Sequence, residues 1–340
     1  MDQVVLSADN STVEIGMGNT WVDVYKKLED TGYNVVACDT VKSFTLVLPN
    51  GTITQVDSEK PDLFFALKGG LNRFGIVTSA EFHAHKQSPQ VYGGFVIYGN
   101  DDIDAVLEAT ARFDAENTDP KAQIITTLSG STLGGTTALV LFFYDGPSRP
   151  ESFGPFDNIT AILDATSTRT FAGLVQSFPS NLVINVRGTF HTISTSRLTP
   201  GFVAAVKNET DTLGKVMASH GGTMITYDIE PFLRTFGEMA TDSAYPHANS
   251  PLPLNLYFAW LSPADDEFWY EAMRTSVEIL RGVAIEEGIY PSDSTAYPNY
   301  AITNTTAEDL YGARNAERLR SIRSQVDPDG VMGLAGGFSI

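Results

Sequence analysis

At 340 residues the chain is long enough for two domains and a large core, and a formal net charge of −19 sets it against nucleic acid and anionic membrane surfaces. No apolar run reaches the roughly 18 residues needed to span a bilayer, and the opening MDQVVLSADN has neither the basic patch nor the apolar run of a secretory signal. Cys38 is the single cysteine, so no intrachain disulfide can form.

Val4 to Leu6 and Thr12 to Ile15 read as two strands joined by the turn Ser7-Ala8-Asp9-Asn10. Asn19 and Thr20 are good N-caps for a helix carrying Trp21, Val24, Tyr25 and Leu28 at helical spacing and ending at Gly32. Gly16-x-Gly18 before that helix invites a dinucleotide-fold reading, but the third glycine of that fingerprint would fall on Trp21. Pro49-Asn50-Gly51 between β-rich runs predicts a hairpin.

The next stretch organises the chain. Pro61 opens a helix, three glycines and an asparagine follow in Lys68-Gly69-Gly70-Leu71-Asn72-Arg73-Phe74-Gly75, and Ile76 to Phe82 reads as a strand. Glycine permits positive φ and a close approach to the backbone. With Lys68 and Arg73 beside it, this loop suits an anionic, phosphate-bearing ligand; a helix cap turning into a core strand explains the same residues without one. His83-x-His85 puts two imidazoles on one side of that strand without a third metal ligand at usual spacing, so a solvated strand end is expected and no metal site.

Beyond Lys86-Gln87-Ser88-Pro89 the character changes. Strands are expected at Val91 to Tyr98, Gln123 to Thr127, Ala138 to Tyr144, Leu182 to Thr189, Thr223 to Ile229 and Leu254 to Leu261. Helices are expected at Asp101 to Glu116, Phe171 to Gln176, Pro200 to Ser219 and Asp265 to Glu287. This pattern predicts an α+β domain with a mostly antiparallel sheet. The last helix, from Ala307 to Gln325, carries the stripe Leu310, Ala313, Ala316, Leu319, Ile322 and Val326, with Arg314, Arg318, Arg320 and Arg323 toward its C-terminal half. Five Asn-x-Ser/Thr sequons, at Asn10, Asn50, Asn158, Asn208 and Asn304, are candidate glycosylation sites. Gly-x-Ser-x-Gly, the Walker loop, His-Glu-x-x-His and Cys-x-x-Cys are all absent from the sequence.

The string DLFFALKGGLNRFGIVTSAEF resembles the flavin-binding domain of the FAD-linked oxidases related to berberine bridge enzyme, a domain of the PCMH type. Three further stretches agree with that family in order: VEIGMGNTWVDVYKKLEDTGYNVV, YPNYA, and LYGARNAERLRSIRSQVDPDGVMGLAGGF. The resemblance implies that Gly69, Gly70, Asn72, Gly75, Ile76 and Val77 lie along FAD, with Asn299 also at the cofactor. It places Tyr300, the last residue of Tyr297-Pro298-Asn299-Tyr300, beside the flavin ring as the base. An ordinary tyrosine titrates near pH 10, so this one needs its pKa depressed to serve.

The chain departs from the family pattern in one place. Tyr33-Asn34-Val35-Val36 runs straight into Ala37-Cys38-Asp39-Thr40-Val41, where the family carries a glycine-rich segment around the flavin pyrophosphate. Cys38 matches the position after that segment and reads as a small buried hydrophobe. The family's loop bearing a covalent histidine has no counterpart either, so FAD, if bound, is expected to be non-covalent and weakly held. A missing segment also predicts an exposed apolar face around Trp21, Phe44 and Val47, and self-association through the incomplete domain.

The expectation is an α+β protein with a partial FAD-binding domain at 1–87, a substrate domain at 88–290 and a C-terminal segment, 291–340, returning to the first domain. The implied function is FAD-dependent oxidation of a small organic or sugar-like substrate, with hydride passing to flavin and a tyrosine as base. Two alternatives stay open: a non-catalytic remnant without firm FAD binding, and a cyclase-like enzyme that uses the same pocket without redox chemistry.

Overall fold

The computed structural model describes residues 1–36, 39–132, 135–178, 186–233 and 235–340. Cys38 and the start of the strand expected from Leu182 lie outside them. Two antiparallel sheets organise the chain; several strands, such as Ala122–Gly130 and Thr136–Tyr144, alternate more and less buried side chains, while Leu252–Trp260 is buried on both faces.

The first sheet holds β1 (Val4–Leu6), β2 (Thr12–Gly16), β3 (Tyr33–Val35), β4 (Val41–Val47), β5 (Ile53–Val56) and β6 (Ile76–Lys86), in the order β1-β2-β6-β4-β5 with β3 also on β6. The Asn50-Gly51 hairpin forms as expected, pairing Val47 with Ile53, and Gly51 takes a φ of 83°. Helix α1 (Trp21–Leu28) starts at a capping box between Thr20 and Asp23 and buries Val24 and Leu28. Helix α2 (Pro61–Leu67) lies on the sheet with Pro61 in its first turn. His83 and His85 are both exposed on β6, as a solvated strand end requires.

One packing expectation fails here. Phe44 is only 8% exposed and packs against Phe64 of α2, with ring centroids 5.9 Å apart. Val47 is partly buried. Only Trp21 of the three stands out, at 45% exposure. Helix α2 covers the sheet face that the sequence left open.

The second sheet holds β7 (Val91–Tyr98), β8 (Ala122–Gly130), β9 (Thr136–Tyr144), β10 (Ala161–Asp164), β11 (Ser167–Arg169), β12 (Arg187–Thr195), β13 (Gly222–Ile229) and β14 (Leu252–Trp260). Its order is β10-β7-β9-β8-β13-β14-β12, with β11 also on β7. Helices α3 (Ile103–Glu116), α4 (Phe171–Gln176), α5 (Pro200–Val216), α6 (Thr235–Glu238) and α7 (Asp266–Glu286) belong to this part of the chain. The main core joins Val106 and Phe113 of α3, Phe202 and Val206 of α5, and Trp269, Met273 and Val277 of α7 to the strands. Among the described residues no helix is long and apolar enough to cross a membrane.

Tyr227 ties the middle of this sheet to α7. It is fully buried, and its hydroxyl meets Ser276 Oγ at 2.7 Å. Tyr227→Phe leaves a buried serine hydroxyl short of a partner and should lower stability by about 1–2 kcal/mol. Urea unfolding checks this, as a lower midpoint with unchanged slope.

Helix α8 (Ala307–Val326) breaks internally at Gly312, whose φ is 72° and ψ is 156°. The break shifts the apolar stripe expected from the sequence. Ala313 is exposed and Tyr311 is buried in its place, beside Leu310, Ala316, Leu319 and Ile322. These residues pack on Phe65 and Phe74. Arg318 bridges Asp62 of α2 at 2.8 Å and Asp242 at 3.0 Å, with its guanidinium 3.8 Å from the centroid of the Phe65 ring.

Candidate active site

The glycine loop leaves α2 at Lys68 and enters β6 at Ile76. Gly69 and Gly75 have φ of 101° and 143°, and Leu71, which is not glycine, has φ of 60°. A side chain on Gly69 would stand 3.1 Å from Tyr245 Cβ, and one on Gly75 2.5 Å from the Val47 carbonyl oxygen. One on Gly70 would collide with the Ala66 carbonyl oxygen and the Phe74 ring. These three glycines therefore admit the chain's own backbone and side chains. Asn72 and Ile76 face outward, Ile76 at 58% exposure, and Val77 is half-buried.

The positive charges lie elsewhere than expected. Lys68 is buried, donating to Thr241 Oγ1 at 2.9 Å and sitting 4.7 Å over the Phe64 ring. Arg73 is buried as well, and burial together with the Arg323 charge pushes its pKa down. Neither is a surface cation beside bare amides. Arg73 Nε is nonetheless buried without a hydrogen-bond partner among the described residues. An orphaned guanidinium nitrogen beside the exposed Asn72, both residues lying near Gly337 of the C-terminal segment, fits an anionic cofactor group at that side of the loop.

The second half of the site is a cluster of rings. Backbone donors of Tyr300 and Ala301 both bond to the Tyr297 carbonyl, each at 2.9 Å, closing a tight turn. Tyr297 meets Tyr245 at 5.1 Å and Tyr300 at 4.9 Å between ring centroids. Gly69 packs on Tyr245, so the loop and the Tyr297–Tyr300 turn form one continuous surface. Asn299 is exposed, and its Nδ2 donates to Tyr297 Oη at 2.7 Å. Tyr300 stacks 6.5 Å from Phe190, which lies 4.6 Å from Tyr257.

Tyr300 Oη donates to Glu230 Oε1 at 3.0 Å. Glu230 follows β13 directly and is 7% exposed. Burial pushes its carboxyl up to about 7, with the Tyr300 hydrogen bond opposing and the charge of Asp228 adding to the rise. The Tyr300 hydroxyl is raised too, by burial first and then by the charge of Glu230. This is the opposite of the depressed pKa that an unaided tyrosine base needs. Asp228, two residues earlier, accepts from Thr127 Oγ1 at 2.7 Å and Asn255 Nδ2 at 2.8 Å, and burial raises its pKa as well. Adjacent strands align these groups, because Asp228 pairs with Thr127 on β8 and with Asn255 on β14.

Neither Glu230 nor Asp228 is singled out by the sequence reading. The available signal is Thr226-Tyr227-Asp228-Ile229-Glu230, two carboxylates at alternate positions closing a β-rich run. Two like charges on one strand face are costly unless the site uses or pairs them.

No protein-family profile matches the chain. It is 26% identical to FAD-dependent monooxygenase drtC of Aspergillus calidoustus, covering all of this chain and 72% of that protein. That alignment runs over 382 positions, so the relative carries extra residues inside the matched span. FAD-dependent monooxygenase sdcF of Emericella nidulans is 29% identical, over 90% of this chain and 66% of its own length. Among solved structures, BBE-like 1 of Physcomitrella patens superposes with a TM-score of 0.77 at 16% identity, covering 97% of this chain and 78% of that one. 6-Hydroxy-D-nicotine oxidase of Arthrobacter nicotinovorans superposes with 0.75 at 15% identity, covering 97% and 79%. The structures carry the α+β fold, and the sequence relatives carry the tie to FAD. By sequence the chain is similar to FAD-dependent monooxygenases and FAD-linked oxidoreductases, and its fold is that of the berberine bridge enzyme-like oxidases.

Proposed function

We propose that this chain is an FAD-dependent oxidoreductase that oxidises a hydroxyl-bearing small organic or sugar-like substrate, with Tyr300 and Glu230 removing the substrate proton as a pair. The hydrogen bond from Tyr300 to the buried Glu230 carries the reading. As the substrate hydroxyl gives its proton to Tyr300 Oη, Tyr300 passes its own proton to the Glu230 carboxylate. One proton leaves the substrate, one arrives on Glu230, and no free phenolate is needed. FAD, when bound, supplies the two-electron acceptor for such an oxidation. Arg73, Asn72 and the loop backbone from Leu71 to Ile76 would hold it, with Asn299 kept in place by Tyr297. Two structural neighbours are named for oligosaccharides, a xylooligosaccharide oxidase in complex with xylobiose and a chitooligosaccharide oxidase, which favours the sugar-like substrate class.

A second reading has its own support. Gly69, Gly70 and Gly75 are filled against the chain itself and Lys68 is already bonded, as in a protein that keeps the pocket and has lost firm cofactor binding. One experiment separates the two. The purified protein is incubated with FAD, desalted and scanned for the flavin band near about 450 nm. A yellow protein that releases its flavin to the supernatant on denaturation, and that oxidises xylobiose or chitobiose, supports the oxidoreductase with non-covalent FAD. A colourless, inactive protein supports the remnant, and flavin that stays in the denatured pellet overturns non-covalent binding.

A further inference from the structure

A separate cavity of about 390 Å³ opens at the edge of the second sheet, between β12, α7 and the start of the C-terminal segment. His191, Thr192 and Ser194 of β12, Arg274 and Arg281 of α7, and Thr303 line it. Two buried polar atoms on the α7 side of this cavity, His191 Nδ1 and Arg281 Nε, have no hydrogen-bond partner among the described residues. Orphaned donors and acceptors around one cavity are what a polar ligand would leave behind.

The charges select the ligand's sign. Arg274 makes no ion pair among the described residues and only faces the Tyr270 ring at 5.9 Å. Arg281 uses Nη1 on Glu278 at 2.6 Å and leaves Nε turned inward. The other lining carboxylate, Asp309, accepts from Thr306 Oγ1 and its own backbone N–H bonds back to Thr306, so it is committed to capping α8. His191 is held down at about 4 by burial and by the charges of Arg281 and Arg274, so it is a neutral donor–acceptor near neutral pH. The Arg274 guanidinium and the Nε of Arg281 remain for the cavity, matching an oxyanion, while the hydroxyls of Ser294 and Thr303 match a polyol.

We propose that this cavity binds a small hydroxylated anion of the sugar-phosphate class, at a site distinct from Tyr300. Glucose 6-phosphate, glucose and inorganic phosphate serve as probes in isothermal titration of the full chain, with R274Q and R281Q alongside. The protein's net charge of −19 disfavours diffuse anion binding, so a saturable signal reports a local site. Glucose 6-phosphate should bind with Kd below about 1 mM. Either variant should weaken it by about 10-fold or more, the loss of one charged hydrogen-bonding group. Glucose alone should not bind, and inorganic phosphate should bind more weakly than glucose 6-phosphate. Circular dichroism and Tm of each variant verify the fold, and a two-variant comparison keeps the test intact if one fails to fold. Absence of binding by both phosphates overturns the site. Equal affinity in wild type and variants overturns its location, and equal affinity for the two phosphates overturns the sugar part of the assignment.

Discussion

Glu230→Gln and Tyr300→Phe are each expected to slow turnover by about 10²–10⁴, the usual loss on removing a proton-transfer group. If the two act as one unit, the double variant should lose little more than either single one. The pH profile gives a sharper signature. Glu230 must be ionised to receive the proton, and its carboxyl sits at about 7. The rate should therefore rise as pH passes through about 7, and Glu230→Gln should lose that limb while Tyr300→Phe keeps a weakened version of it. The same shift acts on stability, which needs no substrate to measure. A carboxyl raised from its usual 4.5 to about 7 on folding contributes stability that is fully present below the unfolded pKa. That contribution is lost as pH rises from about 4.5 through about 7, by up to about 3 kcal/mol. Glu230→Gln cannot ionise, so its Tm should exceed that of the wild type at pH 8 and approach it at pH 4. A wild-type-like rate in both variants, or parallel stability curves, would remove the pair from the mechanism.

Gly75→Ala should destabilise the protein even with no cofactor present, by about 2–4 kcal/mol. Gly75 has a φ of 143°, which side-chain-bearing residues rarely adopt, and an added Cβ would stand 2.5 Å from the Val47 carbonyl oxygen. Val47 lies on β4 and pairs with Ile76, so relief would require moving a core strand pairing. The measurement separates two uses of glycine. If Gly75 is there for packing, urea unfolding of the FAD-free variant shows the full loss. If it is there for close approach of a ligand, FAD-free stability is unchanged and only FAD affinity falls. Asn72→Ala is the complementary change, since Asn72 is exposed. It should leave FAD-free stability within about 0.5 kcal/mol of wild type.

The sequence by itself determined what depends on near neighbours along the chain. The Asn50-Gly51 hairpin, the Thr20 cap on α1, the Pro61 start of α2 and the long apolar periods of α5 and α7 are local, and each forms close to where periodicity and turn chemistry place it. The glycine stretch and the Tyr297–Tyr300 motif carried the resemblance to the FAD-linked oxidases for the same reason, because backbone conformation at a turn is written in a few adjacent residues. Short strands such as β10 and β11 were not legible, since they exist only through pairing with β7. Their stability comes from a partner more than 60 residues away, and local propensity says little about that.

What only the tertiary structure decided is the environment of each group. Lys68 and Arg73 carry charge in any context, but the packing of α2, α8 and the 241–247 segment buries both and gives Lys68 to Thr241. Gly312 turns the stripe of α8 so that Tyr311 replaces Ala313 inside. Tyr300 could be named from its motif, whereas Glu230 lies 70 positions away and meets it only because β13 delivers its end to the Tyr297–Tyr300 turn. A pKa is set by desolvation and by neighbouring charges within a few ångströms, and a linear sequence holds neither. Tyr300 was therefore readable as a residue, and its hydrogen bond to a buried carboxylate was fixed by the fold.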